Sequence, residues 1–145
     1  MSTLTLLLTD LAADVVTAAV VPSASHVYQG RRARDAQLMG NCEVWLEPLG
    51  QVGEQAGLAG VRTHQVRVHV RQRATPEGPN TGAANATTVR GHLDTLVERW
   101  HGKRPFYTNV PEVAYLAAEL DRPDENPSDA EVLDGSLLLS AAERS

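Results

Sequence analysis

The residues whose types could do chemistry are concentrated between His64 and Arg73, where histidines and arginines are interleaved with valines. An imidazole can bind a metal ion or transfer a proton, and a row of guanidinium groups can bind phosphates or carboxylates. A metal site is not expected, because His64 and His69 are five residues apart and would point to opposite faces of a strand. The stretch instead predicts a basic surface, formed by the side chains that alternate with the valines.

The other candidates for covalent or metal chemistry are isolated. His92 and His101 are nine residues apart on a predicted helix, and so about half a turn out of phase. Cys42 is the single cysteine, and its place beside Val44 and Leu46 on a predicted strand favours a small buried side chain over a nucleophile. The sequence contains no GxSxG, P-loop or GxGxxG motif. We therefore expect no catalytic residues, no cofactor and no metal ion.

The charge is unevenly distributed along the chain, although the formal net charge is only -5. Residues 1–25 carry -2, residues 26–104 carry +4, and residues 105–145 carry -7. The acidic stretch Asp121–Asp129 has the composition of a calcium-binding loop, but Pro123 and Pro127 break the ligand spacing, so it predicts a solvated acidic loop. A basic middle and an acidic C-terminal part can attract each other, either within one copy or between copies.

Two features predict contact with a partner. The arginines of the basic stretch could bind nucleic acid, but no aromatic residue lies beside them and the pI is about 5.5, so we do not expect direct nucleic-acid contact. If Val44 faces the core, Trp45 lies on the opposite face, either as part of a partner surface or covered by the protein's own loops or second helix. The candidate interface residues are Arg31, Arg32, Arg34, Trp45, Arg67, Arg71, Arg73, Asp121, Asp124 and Glu125.

Periodicity predicts the elements that must position these residues. Apolar residues recur at helical spacing within two segments, and they alternate with polar residues in the segments predicted to be strands. The predicted elements are a helix Thr3–Ala19, strands at 27–29, Cys42–Glu47 and His64–Arg73, a helix from Asn85 or Thr87 to Trp100, and strands Val113–Ala117 and Val132–Ser140. We expect an α+β fold of order α-β-β-β-α-β-β, in which two helices cover one antiparallel sheet of about four to five strands. Its predicted core contains Leu11, Val66, Val68, Val70, Leu93 and Leu96.

The composition predicts a single soluble domain over residues 1–145, with 42% hydrophobic and 21% charged residues. Glycine and proline content predicts flexible loops at 48–62 and 74–85. The longest apolar runs are too short to cross a bilayer, and the leucine-rich N-terminus lacks a basic leader, so we expect neither membrane association nor a signal peptide. The expected origin is therefore intracellular.

The order and size of these elements resemble the tail terminator proteins of long-tailed phages. The resemblance is carried by the Leu4–Val15 helix, the His64–Arg73 strand, the Thr88–Trp100 helix, and the passage from Leu120-Asp121-Arg122-Pro123-Asp124 to Leu133-Asp134-Gly135 before a final strand. It spans nearly the whole chain and depends on element order rather than on a diagnostic motif. The glycine-rich Gly50–Gly60 segment departs from that family, because it has less strand character than the family's long hairpin.

The resemblance implies a virion structural protein without catalytic residues, made in the host cytoplasm and incorporated in the tail or neck. Members of the family assemble into a hexameric ring that caps the tail tube and faces the head-side connector. The implied partners are other copies of the chain, the tail-tube protein and a head-completion or connector protein. Head-completion and tube subunits of similar size stay open as alternatives. So does a small module of another class, which binds nucleic acid or a host protein as a monomer or dimer.

Overall fold

The computed structural model describes residues 3–31, 42–52, 61–73, 81–102, 113–125 and 132–144. Helix α1 spans Thr3–Thr17, and a single 3₁₀ turn at Ala24–His26 leads into strand β1, Val27–Gln29. The other elements are β2 (Cys42–Val52), β3 (Val61–Arg73), α2 (Thr81–Trp100), β4 (Val113–Glu125) and β5 (Val132–Arg144). The predicted α+β class and element order are confirmed.

The five strands form one sheet in the order β1-β2-β3-β5-β4. Strands β2, β3, β5 and β4 are antiparallel to their neighbours, as predicted, whereas β1 runs parallel to β2. The prediction of a purely antiparallel sheet is therefore wrong at this edge. A parallel neighbour requires a connection of about a dozen residues to return the chain to the same end of the sheet, and residues 30–41 provide that length.

Strand β2 is longer than the sequence predicted. It passes through Pro48 and remains paired with β3 as far as Val52, opposite Thr63, with an irregularity between Pro48 and Gly50. Proline is tolerated there because β1 pairs only with Val44–Leu46, so that no described strand needs a hydrogen bond on that side of Pro48. Of the loop predicted at 48–62, residues 48–52 and 61–62 are strand, and 53–60 lie outside the described residues.

The elements in the second half of the chain are also longer than predicted. Helix α2 begins at Thr81, so residues 81–85 of the second predicted loop are helical, while 74–80 lie outside the described residues. Strand β4 continues to Glu125 and so takes up the first half of the predicted acidic loop. Pairing of Glu125 with Asp134 supplies the tertiary contact that keeps this segment extended. Residues 126–131 lie outside the described residues.

Both helices pack on the valine face of the sheet. Val66, Val68 and Val70 are fully buried, and they alternate with the polar residues of β3 because successive side chains of a strand point to opposite faces. The predicted core is confirmed, since all six of its members belong to one buried cluster. Each such side chain contributes about 1.5–3 kcal/mol when fully buried. Helix α2 lies over the β3-β5-β4 half of the sheet, and α1 contacts β2.

Candidate functional site

The face of the sheet opposite the helices carries a row of paired polar and aromatic side chains. The strand register places Glu43, Trp45 and Glu47 of β2 opposite Arg71, His69 and Arg67 of β3. Trp45 lies on this face, as its alternation predicted, but only 2% of it is exposed. Its indole Nε1 donates a hydrogen bond to the carbonyl oxygen of Gly30 at 2.7 Å. Of the two alternatives for Trp45, the covered position is therefore the one the structure contains.

Trp45 also fixes the position of the neighbouring imidazole. The rings of Trp45 and His69 are stacked, with centroids 4.1 Å apart and planes 15° apart. His69 Nε2 lies 3.0 Å from Oε1 of Glu47, and its Nδ1 lies 3.7 Å from Oδ1 of Asp134. Stacking on Trp45 and the contact with Glu47 hold the ring in one orientation, whereas the distance to Asp134 is too long for a hydrogen bond. Arg67 also approaches Glu47, at 3.7 Å, and about a third of its side chain is exposed.

Arg71 forms a buried ion pair with Glu43. Its Nη1 donates to Glu43 Oε1 at 2.5 Å, and the two residues are 3% and 0% exposed. The assignment of Arg71 to an exposed basic surface is therefore wrong: its guanidinium lies inside the subunit. Two buried charges stabilise each other, because removing either one takes away the partner of the other in a low-dielectric interior.

The remaining cationic candidates lie elsewhere. Arg73 is exposed at the end of β3, and Arg31 is exposed just after β1. Arg32 and Arg34 lie outside the described residues. The three acidic candidates Asp121, Asp124 and Glu125 lie along β4 rather than in a loop.

Arg31 and the acidic part of β4 lie at opposite edges of the sheet. Strands β1 and β4 are the first and last in the strand order. Four spacings of about 4.8 Å place these two strands roughly 19 Å apart. A salt bridge requires an N–O distance of about 4 Å or less. Arg31 and the acidic part of β4 are therefore far apart within one subunit.

Cys42 has the properties of a partly buried thiol rather than a nucleophile. Burial, with a smaller contribution from the charge of Glu43, raises its pKa to about 11. Its Sγ lies 3.6 Å from the carbonyl oxygen of Val20. On α2, burial lowers the pKa of His92. Among the described residues, no three His, Cys, Asp or Glu side chains come together as metal ligands would. The expected absence of a metal ion stays a prediction.

Two features of the sheet edges were not found from the sequence. His101 Nδ1 accepts a hydrogen bond from the backbone N–H of Ala118 in β4 at 3.1 Å. Leu49 is 40% exposed, and within the described ranges it is the large apolar side chain that the fold leaves at the surface. The exposure of Leu49 had one signal in the sequence, its position next to Pro48, and the strand register shifts there. The hydrogen bond of His101 had no such signal, because it depends on how α2 packs against the sheet.

No protein-family model matches the chain, and no curated protein matches it significantly in sequence. Neither of the two helices, in the residues that the structure describes, combines the length and apolarity needed to span a membrane. The chain thus has an α+β fold with helices on one face of the sheet, a paired polar network on the other, and charged groups at opposite sheet edges.

Proposed function

We propose that this protein is a virion structural protein, the tail terminator of a long-tailed phage. In this role it forms a hexameric ring that caps the tail tube and joins it to the head-side connector. The element order supports the proposal, because the strands and helices follow one another as in that family. The β2-β3 hairpin also supports it, since pairing extends to Val52 and Thr63 and supplies the long hairpin that the glycine-rich sequence did not predict.

The observation that carries the proposal is the separation of opposite charges across the sheet. Arg31 follows β1 at one edge, whereas Asp121, Asp124 and Glu125 belong to β4 at the other. Two different edges that complement each other produce a head-to-tail contact between copies. When each contact adds the same rotation, such contacts close into a ring. A ring is the form that a tube-capping protein needs.

Charge alone does not hold such a ring together. Exposed ion pairs contribute about 0–1 kcal/mol each, so they set the register and speed encounter while other contacts provide most of the affinity. Trp45 does not provide these other contacts between subunits, because it is buried against Gly30 and His69 of its own subunit. The affinity therefore comes from backbone and apolar groups at the sheet edges.

The alternative of a nucleic-acid-binding module receives less support from the polar face. Arg71 is neutralised by Glu43, and Arg67 lies 3.7 Å from Glu47. A phosphate approaching this face would meet carboxylates beside each of these arginines, and the electrostatic attraction that drives nonspecific nucleic-acid binding would be weak. The proposed role is accordingly structural, with no catalytic step and no cofactor.

Mass photometry and negative-stain electron microscopy of the purified chain test the proposal. Six copies of the 15.6 kDa chain should give a particle of about 94 kDa with six-fold averages and a central opening. Added to polymerising tail-tube protein, the ring should bind one tube end and stop elongation. A purified chain that stays monomeric, or a ring that leaves tube growth unaffected, would contradict the proposed function.

Charge reversal tests the head-to-tail arrangement. Arg31→Glu should weaken the ring, and adding Asp121→Arg should restore part of the affinity. Arg90→Glu is the matched control, because Arg90 is exposed on α2 and contacts only Asp94 at 3.9 Å among the ion pairs of the described residues. Equal effects of Arg31→Glu and Arg90→Glu would point to net charge rather than to a specific contact.

A further inference from the structure

We propose that the subunits join by continuing the sheet: the outer edge of β4 in one copy pairs antiparallel with the open half of β2 in the next. This inference rests on the proposed ring, and it names the surfaces that hold the ring together. In the free subunit, His101 occupies the β4 edge and is displaced by the neighbouring strand.

The hydrogen bond to His101 shows which backbone groups of β4 face outward. The N–H of Ala118 donates to His101 Nδ1, and so it points away from β5, the strand that β4 pairs with. The register is regular from Tyr115 to Leu120, and N–H groups of an antiparallel strand alternate in direction. The N–H groups of Leu116 and Leu120 therefore point outward too. Such an edge can accept another strand.

The complementary edge lies on β2. Strand β1 covers only Val44–Leu46, so no described strand pairs with the outer side of β2 from Glu47 to Val52. Within this open half, Pro48 has a carbonyl group but no N–H, so it can accept a hydrogen bond from a neighbouring strand but cannot donate one. A register irregularity follows Pro48, and the exposed Leu49 lies there. Leu49 supplies an apolar contact beside the backbone groups of the edge, the kind of contact that ion pairs alone do not provide.

The two edges lie at the same level of the sheet. Strand registers define rows across it: one row is Pro48, Val66, Leu139 and Ala118, and another is Val52, Thr63, Ala142 and Tyr115. Rotation about an axis parallel to the strands leaves these levels unchanged. In a ring built this way, Val113–Leu120 of β4 meets the open half of β2, and Asp121–Glu125 meets the β1 side.

Strand direction is also compatible. Strands β2 and β5 run the same way, because both are antiparallel to β3, and β4 runs opposite to β5. A neighbour related by the same rotation therefore places β4 antiparallel to β2. Its carbonyl groups can then take the place of His101 as acceptors for the Ala118 N–H. Such an exchange hides an edge that would otherwise pair with unrelated chains.

Three measurements on the full chain test the inference. Sedimentation velocity should show that Leu49→Asp weakens assembly at least about tenfold, since it puts a charge in the apolar contact. The matched control Thr95→Asp, on the exposed side of α2, should leave assembly unchanged. His101→Ala should tighten assembly about 2- to 10-fold. The His101 side chain would then no longer compete with the neighbouring strand for the Ala118 N–H, and one hydrogen bond is worth about this much. Hydrogen exchange should slow at the amides of Leu116 and Leu120 when the ring forms.

The outcomes separate this inference from the proposed function. A ring that forms while Leu49→Asp has no effect and the β4 amides exchange unchanged overturns the edge pairing and leaves the ring proposal in place. Weaker assembly of His101→Ala, with its melting temperature unchanged, overturns the role of His101. A wild-type chain that is monomeric at every concentration overturns both the ring and the edge pairing.

Discussion

Arg99 and Asp14 join the two helices through a two-point ion pair. Arg99 Nε donates to Asp14 Oδ2 at 3.0 Å, and Nη2 donates to Oδ1 at 2.6 Å. The indole Nε1 of Trp100 donates to the same Oδ2 at 2.6 Å. These hydrogen bonds raise the pKa of the Arg99 guanidinium, which therefore stays charged. One carboxylate of α1 thus fixes two consecutive side chains at the end of α2.

Asp14→Ala should destabilise the fold by about 2–4 kcal/mol, because it leaves the buried Trp100 N–H without its acceptor and removes the partner of Arg99. Urea unfolding would measure the loss. Asp94→Ala is the control, since it removes only an exposed i,i+4 pair with Arg90 and should cost less than about 0.5 kcal/mol. Equal losses in the two variants would show that Asp14 does not join the helices.

The buried pair of Glu43 and Arg71 should be strongly coupled. Either Glu43→Ala or Arg71→Ala should cost about 3–5 kcal/mol, because each removes the ion-pair partner of a buried charge. The double variant Glu43→Leu/Arg71→Met should cost clearly less than the two single losses together. Arg67→Ala, at a partly exposed pair, should cost less than about 1 kcal/mol. Additive losses in a double-mutant cycle would contradict the coupling.

Cys42 should react slowly with alkylating reagents. A thiol whose pKa is raised from 9.0 to about 11 has about 100-fold less thiolate near neutral pH, and the thiolate is the reactive form. Iodoacetamide labelling followed by mass spectrometry should show this slowing relative to the urea-unfolded chain. A folded protein that labels as fast as the unfolded chain would contradict the burial of Cys42.

The same shift predicts how stability depends on pH. The unfolded Cys42 thiol ionises at a lower pH than the folded one, so the native state holds more protons between the two pKa values. The free energy of unfolding should therefore decrease as the pH rises from 9.0 toward about 11. Cys42→Ala should lack the part of this decrease in unfolding free energy that the thiol causes. A loss of the same size in Cys42→Ala and the wild type would assign it to other groups.

Val68→Asp should prevent folding. Val68 is fully buried at the centre of β3, and an unpaired carboxylate there costs several kcal/mol, against a total stability of about 5–15 kcal/mol for ordinary domains. Circular dichroism would detect the loss of structure. Gln65→Asp, on the partly exposed polar face of the same strand, should fold. A cooperatively folded Val68→Asp variant would contradict the placement of β3.

The elements of this fold follow from local periodicity. The valines of β3 alternate with polar residues, and this pattern identifies both the strand and the face that packs on the helices. The apolar residues of α2 recur at helical spacing, so Leu93 and Leu96 could be assigned to the same core as Val68. The opposite face of β2, with Trp45, follows from the same alternation. Such patterns need only the neighbouring residues, because the geometry of a strand or helix sets the direction of each side chain.

Contacts between distant segments could not be read this way. Glu43 and Arg71 meet because of the register between β2 and β3, and neither residue's neighbours specify that register. The extension of β2 past Pro48 depends on its pairing with β3, and the parallel direction of β1 depends on the path of the connection. Tertiary structure also placed Arg31 and the acidic part of β4 at opposite edges of the sheet. The order of charges along a chain does not specify where they lie in space, because their positions depend on the strand order of the sheet.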